Sequence, residues 1–379
     1  MNNFLIPKYF QSILDQAGIT INGSKPHDIK LFDNRALKRI IRDGSLGLGE
    51  TYMAGWWDCE RIDEFSYRLC RAAAFRELKF NWLQSFYNWS TSIINYQSRS
   101  RAKQVAQKHY NLDNNLFELM LGESMAYSCG YWKNADDLTS AQLAKYELIC
   151  KKLHLTSQDT LLDVGCGWGG LAAFAAEHYG CPVVGISIAS AQITYAKERY
   201  NHLPIDFYVA DYRDSPSYNP KQIKFSKLAS VGAFEHIGHK NHHNFLKLME
   251  SQLSNEGLFL LHTIGANETT TYTDPWINKY IFPNGNVPSM VQLTKAIEKN
   301  FVVEDWHNFG PHYDKTLLAW DANFEKSWGS LEPLYDLQFY RMWRYYLLMC
   351  AGMFRARSAQ LWQIVMSKSG VVGGYESVR

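Results

Sequence analysis

The stretch Asp163-Val164-Gly165-Cys166-Gly167-Trp168-Gly169-Gly170 decides the fold. It closes a short apolar run that begins at Thr160 and it opens a helical pattern over 169–179. Gly165, Gly167 and Gly170 satisfy G-x-G-x-x-G. Asp163, Gly165, Gly167 and Gly169 satisfy acid-x-G-x-G-x-G. Both patterns need glycine because the backbone must turn tightly after a strand and come close to a ligand.

Working outward, strands and helices alternate. Apolar strand-sized runs recur at 181–187, 205–211, 225–232, 257–265, 301–310 and 361–368. Helical patterns fall at 189–200, 241–253, 289–299, 313–328 and 333–356. This alternation predicts an α/β fold: a mostly parallel, Rossmann-like sheet with helices on both faces and a ligand at the carboxyl ends of the strands.

The ligand follows from the charges around the loop. A nicotinamide dinucleotide expects an acid about 20 residues on, at the end of the second strand. The sequence there reads Val184-Gly185-Ile186-Ser187. Asp163 repels phosphate and suits a cationic, hydroxyl-bearing ligand such as S-adenosylmethionine. The third strand ends in Ala210-Asp211-Tyr212, where a carboxylate and a ring can meet an adenine. An NAD-dependent oxidoreductase is therefore disfavoured.

The whole chain has 379 residues, 46% hydrophobic and 20% charged, which supports a packed core and two domains. Its net charge of +2 excludes the dense basic footprint of a general nucleic-acid binder. The seven cysteines are scattered with no C-x-x-C, which points to a reducing compartment and no thiolate zinc site. Neither a signal peptide nor a run of about 20 apolar residues is visible. Residues 1–103 carry a balance of +5, and the rest −3. A basic N-terminal third suits anionic lipid headgroups. The expected division is a small helical N-terminal domain at 1–97, a linker at 98–104 and a catalytic domain at 105–379. Within the first, Ser45–Asp58 (SLGLGETYMAGWWD) reads as a glycine-rich, turn-forming stretch, with Trp56 and Trp57 as lipid contacts.

Several polar residues fall at strand ends: Glu235 in GAFEHIG, His262 in LLHTIG and Tyr313 in GPHYDKT, with Cys129 in YSCGYW ahead of the sheet. Such a set can bind a small oxyanion or shuttle a proton; it can also be a buried network that orients loops. His236, His239, His242 and His243 have near-helical spacing but no acidic or thiolate partners, so they read as solvated helix-start histidines rather than a metal site. Cys350, on an aromatic-rich helix, reads as a small core residue.

Ten segments in order, among them LGLGETYMAGWWD, AYSCGYW, LLDVGCGWGG, VVGISIASAQ, VGAFEHIG, LLHTIG, DPWINKYIFPNG and CAGMFRAR, give the chain a resemblance to the cyclopropane/mycolic acid synthase family in its bacterial two-domain form. The resemblance implies a class I methyltransferase fold. It implies transfer of the methyl carbon of S-adenosylmethionine to a cis double bond of an unsaturated phospholipid acyl chain, leaving a carbocation that bound bicarbonate deprotonates as the ring closes. By the same resemblance, Glu235, His262 and Tyr313 hold the bicarbonate together with backbone groups at Cys129 and Ile264. The cofactor contacts are Tyr127, Ser128, Asp163, Gly165, Cys166, Gly167, Trp168, Gly169, Ser187, Ile188, Gln192, Asp211, Tyr212 and Arg213. Cys350 matches a cysteine proposed as catalytic, although a cationic mechanism calls for a base and an apolar lining rather than a thiolate. Aromatic faces favour the cation, and Tyr127, Tyr131, Trp132, Tyr280, Phe282, Trp306 and Phe309 are expected to supply them. A homodimer, cytoplasmic and peripheral to the inner face of the cytoplasmic membrane, is implied as well. A relative that methylates lipid without closing a ring and a catalytically inactive lipid binder are the rival readings.

Overall fold

The computed structural model describes residues 6–72 and 114–379. The expected linker at 98–104 lies outside them. The strands are β1 Lys30–Leu31, β2 Trp57–Asp58, β3 Leu161–Val164, β4 Val183–Ser187, β5 Ile205–Val209, β6 Phe225–Val231, β7 Leu253–Ala266, β8 Val302–Asn308 and β9 Ala359–Ser367. Contacts divide the chain into two compact units. The first takes Met1–Ile94, Tyr272–Pro283 and Tyr313–Ala359. The second takes Asn95–Thr271, Asn284–His312 and Gln360–Arg379.

The second unit is built on a seven-stranded sheet in the order β5-β4-β3-β6-β7-β9-β8. Strands β3 to β7 pair in parallel, and β8 pairs antiparallel with β9. Because side chains alternate along a strand, Leu162, Leu228, Phe259 and Ile364 fill the core on one face. Leu161, Ala229, Leu260 and Val365 fill it on the other. Helices His242–Gln252 and Met290–Ile297 cover the first face; Leu138–Lys152, Gly170–Tyr179 and Ser190–Arg199 cover the second. Each fully buried Leu or Phe contributes roughly 1.5–3 kcal/mol, so the two layers fix the carboxyl ends of β3, β4 and β6 as a rigid rim. Asp137 and Ser140 form a capping box that fixes where helix Leu138–Lys152 begins.

The first unit is mainly helical and draws on three separate stretches of chain, which a linear division at 98–104 does not anticipate. The reason is packing. Helix Leu337–Arg355 lies so close to helix Ile62–Arg71 that a Cβ at Gly352 would stand 2.3 Å from the Asp63 carbonyl oxygen. A Cβ at Gly49 would stand 2.3 Å from the Trp276 indole. Gly47 and Gly49 are thus contact glycines inside helix Arg35–Met53, not turn residues; only Gly44 breaks that helix, at φ 58° and ψ −130°. Trp57 is also corrected. It is fully buried, with Nε1 donating to the Leu48 carbonyl and the Thr51 hydroxyl at 3.1 Å, so it is core and not a lipid contact. Arg341 lies 3.9 Å from the Tyr52 ring centroid and donates to the Tyr52 and Trp57 carbonyls.

Asp63 anchors this unit. It is 2% exposed and paired with Arg61 and Arg355, each at 2.8 Å. Burial opposes its ionisation, but the two guanidinium groups outweigh burial and hold the carboxyl at about 2. A depressed carboxyl stabilises above its unfolded value and loses that stabilisation as pH falls toward the folded value. Asp63→Asn is expected to cost on the order of 2–3 kcal/mol at neutral pH. It should also flatten the stability profile between about pH 4 and 2, read by urea unfolding at each pH.

Candidate active site

Winding reverses at β3, with β4 and β5 on one side and β6 and β7 on the other. A cleft opens at the carboxyl ends beside that switch point, as expected for such sheets. Among its lining residues are Tyr127, Ser128, Asp163, Gly165, Cys166, Gly167, Trp168, Ser187, Ile188, Gln192, Asp211, Tyr212 and Arg213. All are predicted cofactor contacts. Gly169 is the predicted contact that does not line the cleft. It stands at φ 85°, and a Cβ there would meet the Phe207 ring at 2.7 Å, so its task is to seat helix Gly170–Tyr179 on the sheet. Gly165 keeps the loop close to the turn after β6, since a Cβ would stand 2.5 Å from that of Ala233.

Asp163 is 1% exposed, and its Oδ2 has no hydrogen-bond partner. Burial pushes its carboxyl up, and the nearby Lys145 charge draws it back. Lys145 is equally buried: its Nζ donates to Ser128 Oγ at 2.8 Å and lies 4.5 Å from the Tyr146 ring centroid. Burial pushes its ammonium down, with the charges of Cys129 and Asp163 opposing. Ser187 Oγ donates to Gln192 Oε1 at 3.1 Å. Arg213 Nε and Nη2 bind the two oxygens of Asp211 at 2.7 and 2.6 Å, and the Tyr212 ring stands edge-on to Phe245 at 5.0 Å.

A second group lies just beyond β6. Glu235, 8% exposed, sits in the short helix Phe234–His236; its Oε1 accepts from the Ile264 amide at 2.7 Å while Oε2 is buried and unpartnered. Burial pushes its carboxyl up, against the Ile264 hydrogen bond. His262 is 1% exposed on β7, with Nδ1 3.2 Å from Gln363 Nε2 and Nε2 unpartnered. Burial, then the charges of Lys145 and Lys152, pushes the imidazole well below its ordinary value, so it is neutral. Glu235 and Ile264 are therefore brought together, with His262 two residues before Ile264 on the same strand. Cys129 is fully buried in this unit, with Sγ donating to the Gly130 carbonyl at 3.2 Å.

Tyr313 belongs to the first unit, its ring 4.5 Å from Phe354. Cys350 lies there too, and burial pushes its thiol up to about 12, which leaves no thiolate to act as a nucleophile. Tyr280 and Phe282 are in the same unit. Tyr131, His307, Phe309 and His312 form one aromatic cluster, in which Phe309 stands 5.9 Å from His262. Trp306 packs on Trp362 at 5.3 Å, against the other face of the sheet, and is core. His242 is not solvated; its buried ring stacks on Phe234 at 4.2 Å. Lys145 and Gln363 are the residues that sequence reasoning missed.

Fold and cleft are those of the S-adenosylmethionine-dependent methyltransferases. The solved cyclopropane synthase MmaA2 from Mycobacterium tuberculosis matches with TM-score 0.65 and 27% identity over 70% of this chain and 98% of its own. A mycolic acid cyclopropane synthase complexed with SAH and CTAB matches with TM-score 0.64 and 30% identity over the same shares. Cyclopropane-fatty-acyl-phospholipid synthase of Escherichia coli K12 is 46% identical over 367 residues, 97% of this chain and 94% of its own. The model of the mycolic acid cyclopropane synthetase family matches residues 97–364, and the chain belongs to that family. It is an enzyme, a methyltransferase of the cyclopropane-fatty-acyl-phospholipid synthase type.

Proposed function

We propose that the enzyme builds cyclopropane rings on unsaturated phospholipid acyl chains, with S-adenosylmethionine as methyl donor and bicarbonate as base. The observation that carries this reading is a set of three buried, unpartnered polar atoms: Asp163 Oδ2 of the cleft lining, Glu235 Oε2 just after β6 and His262 Nε2 on β7. Such atoms cost free energy unless a ligand satisfies them. When bound, S-adenosylmethionine supplies an electrophilic methyl carbon, and bicarbonate accepts the proton that must leave before the ring closes.

This chain's residues do the rest. The Asp163 carboxylate and Gln192 hold hydroxyl groups, the Tyr212 ring faces the adenine, and the glycine loop admits the ligand without a phosphate cradle. Glu235 and His262 hold the oxyanion, and Glu235 Oε2 relays its proton. By resemblance the Cys129 backbone completes the set, while the Ile264 N–H holds the Glu235 carboxyl in place. The aromatic cluster of Tyr131 and Phe309 keeps water out and presents ring faces to a developing cation. No strong nucleophile is required, and placement supplies much of the rate. The basic balance of residues 1–103 supports peripheral attachment to the anionic inner face of the cytoplasmic membrane. We also take the cytoplasmic enzyme to be a homodimer, as the resemblance implies.

Purified enzyme, S-adenosylmethionine and vesicles of unsaturated anionic phospholipid are expected to yield acyl chains heavier by one CH2 with the olefin gone, and the enzyme should pellet with the vesicles at low salt. Mass gain with the double bond kept or reduced would replace ring closure by plain methylation. Enzyme left in the supernatant would remove the membrane role.

A further inference from the structure

Helix Leu138–Lys152 sets Gln142, Lys145 and Lys152, all at most 1% exposed, against one face of the sheet. Strand alternation brings Asp163 on β3, His262 on β7, Gln363 on β9, and Asp305 and His307 on β8 to that same face. A polar row therefore runs beneath the helix, buried except at His307, which is partly exposed. Lys152 Nζ stands 3.1 Å from His307 Nδ1 and 3.4 Å from Asp305. The charges that reach His262 from this layer are those of Lys145 and Lys152. The Phe309 ring and, at Nδ1, the Gln363 amide also adjoin it.

From this layer we infer that Gln363 is a positioning residue: its amide donates to Nδ1 of His262 and so fixes the imidazole in the tautomer with its proton on Nε2. The inference rests on the bicarbonate reading above and deepens it. Gln363 is wholly buried, and its Nε2 is 3.2 Å from His262 Nδ1. An imidazole nitrogen that accepts there carries its single proton on the other nitrogen. That nitrogen is the unpartnered Nε2. His262 is then a hydrogen-bond donor toward an oxyanion, and it is not the base. Burial first, and the charges of the two lysines second, disfavour the doubly protonated ring.

The test reads the ring directly. In the full-length protein labelled with ¹⁵N-histidine, free of ligands, long-range proton–nitrogen correlation distinguishes the two tautomers and the imidazolium. The His262 signal is identified by its loss in His262→Gln. The Nε2–H pattern, constant across the neutral range, is expected. The Nδ1–H pattern or a charged ring overturns the inference, and this measurement needs no Gln363 variant to fold. Gln363→Glu replaces the donor by an acceptor and should invert the tautomer. It should raise the bicarbonate concentration for half-maximal rate about tenfold, the scale of one lost hydrogen bond to an anion. The KM for S-adenosylmethionine should stay unchanged. An unaltered tautomer in a folded Gln363→Glu protein also overturns the inference. Because the spectrum is taken without bicarbonate, a rate indifferent to bicarbonate would sink the function reading while leaving the tautomer result standing.

Discussion

In Glu235→Gln, turnover is expected to fall roughly 10²- to 10⁴-fold, the range for losing a positioned proton-transfer group, while the melting temperature stays near that of wild type. An amide is nearly isosteric, and its oxygen can still accept from the Ile264 N–H that now binds Oε1 at 2.7 Å. The short helix and the end of β7 are therefore held as before. The loss is the buried oxygen Oε2, which lacks a hydrogen-bond partner, on a carboxyl that burial pushes up. An amide nitrogen in that place gives a hydrogen bond and relays nothing. The drop should appear in kcat, with KM for S-adenosylmethionine close to unchanged. Wild-type turnover in a folded variant would remove Glu235 from the chemistry.

Lys145→Met should separate ligand binding from folding. The ammonium is taken out of water, with one hydrogen bond to Ser128, and burial pushes it down, so exchanging it for an apolar side chain of similar length relieves a desolvation cost. Thermal stability should change little, since relief of that cost is offset where buried Asp163 loses its counter-charge. Asp163 meanwhile loses the charge that favours its ionised form, and burial then holds its carboxyl protonated further up the pH scale. A protonated carboxyl is a poorer acceptor for ligand hydroxyls. The Kd for S-adenosylhomocysteine at pH 7 should rise about 10- to 100-fold, the equivalent of one charge-assisted hydrogen bond. Since a raised carboxyl ionises only as pH increases, binding should recover toward alkaline pH. A calorimetric titration at several pH values checks this; an unchanged Kd with a flat pH profile would contradict the coupling.

The sheet was readable because short apolar runs of strand length are local signals: all seven strands of the second unit fall inside the predicted runs or overlap them. The glycine loop that lines the cleft was readable for the same reason, since Asp163, Gly165 and Gly167 lie close together in sequence. What escaped depends on partners far along the chain. Gly49 reads as a turn residue until Trp276 is placed against it. Trp57 reads as greasy surface until Leu48 and Thr51 bind its indole. Lys145 drew no reading from sequence, because the spacing of Gln142, Lys145 and Lys152 becomes informative only once that stripe is known to face the sheet. Gln363 sits in an otherwise apolar strand, LWQIVMS, and an interior amide in such a run is the signal that was available.

The first unit's origin in three stretches of chain bears on how such enzymes can be cut and recombined. The residues before Ile94 supply one side of a joint whose other side is Trp276, Arg341 and Gly352. A deletion ending near residue 97 would strip the cover from those three, and a graft of the same segment onto a shorter relative would meet a surface shaped for something else. The exchangeable module is thus the discontinuous unit: a working chimera has to carry Tyr272–Pro283 and Tyr313–Ala359 across together with the N-terminal helices.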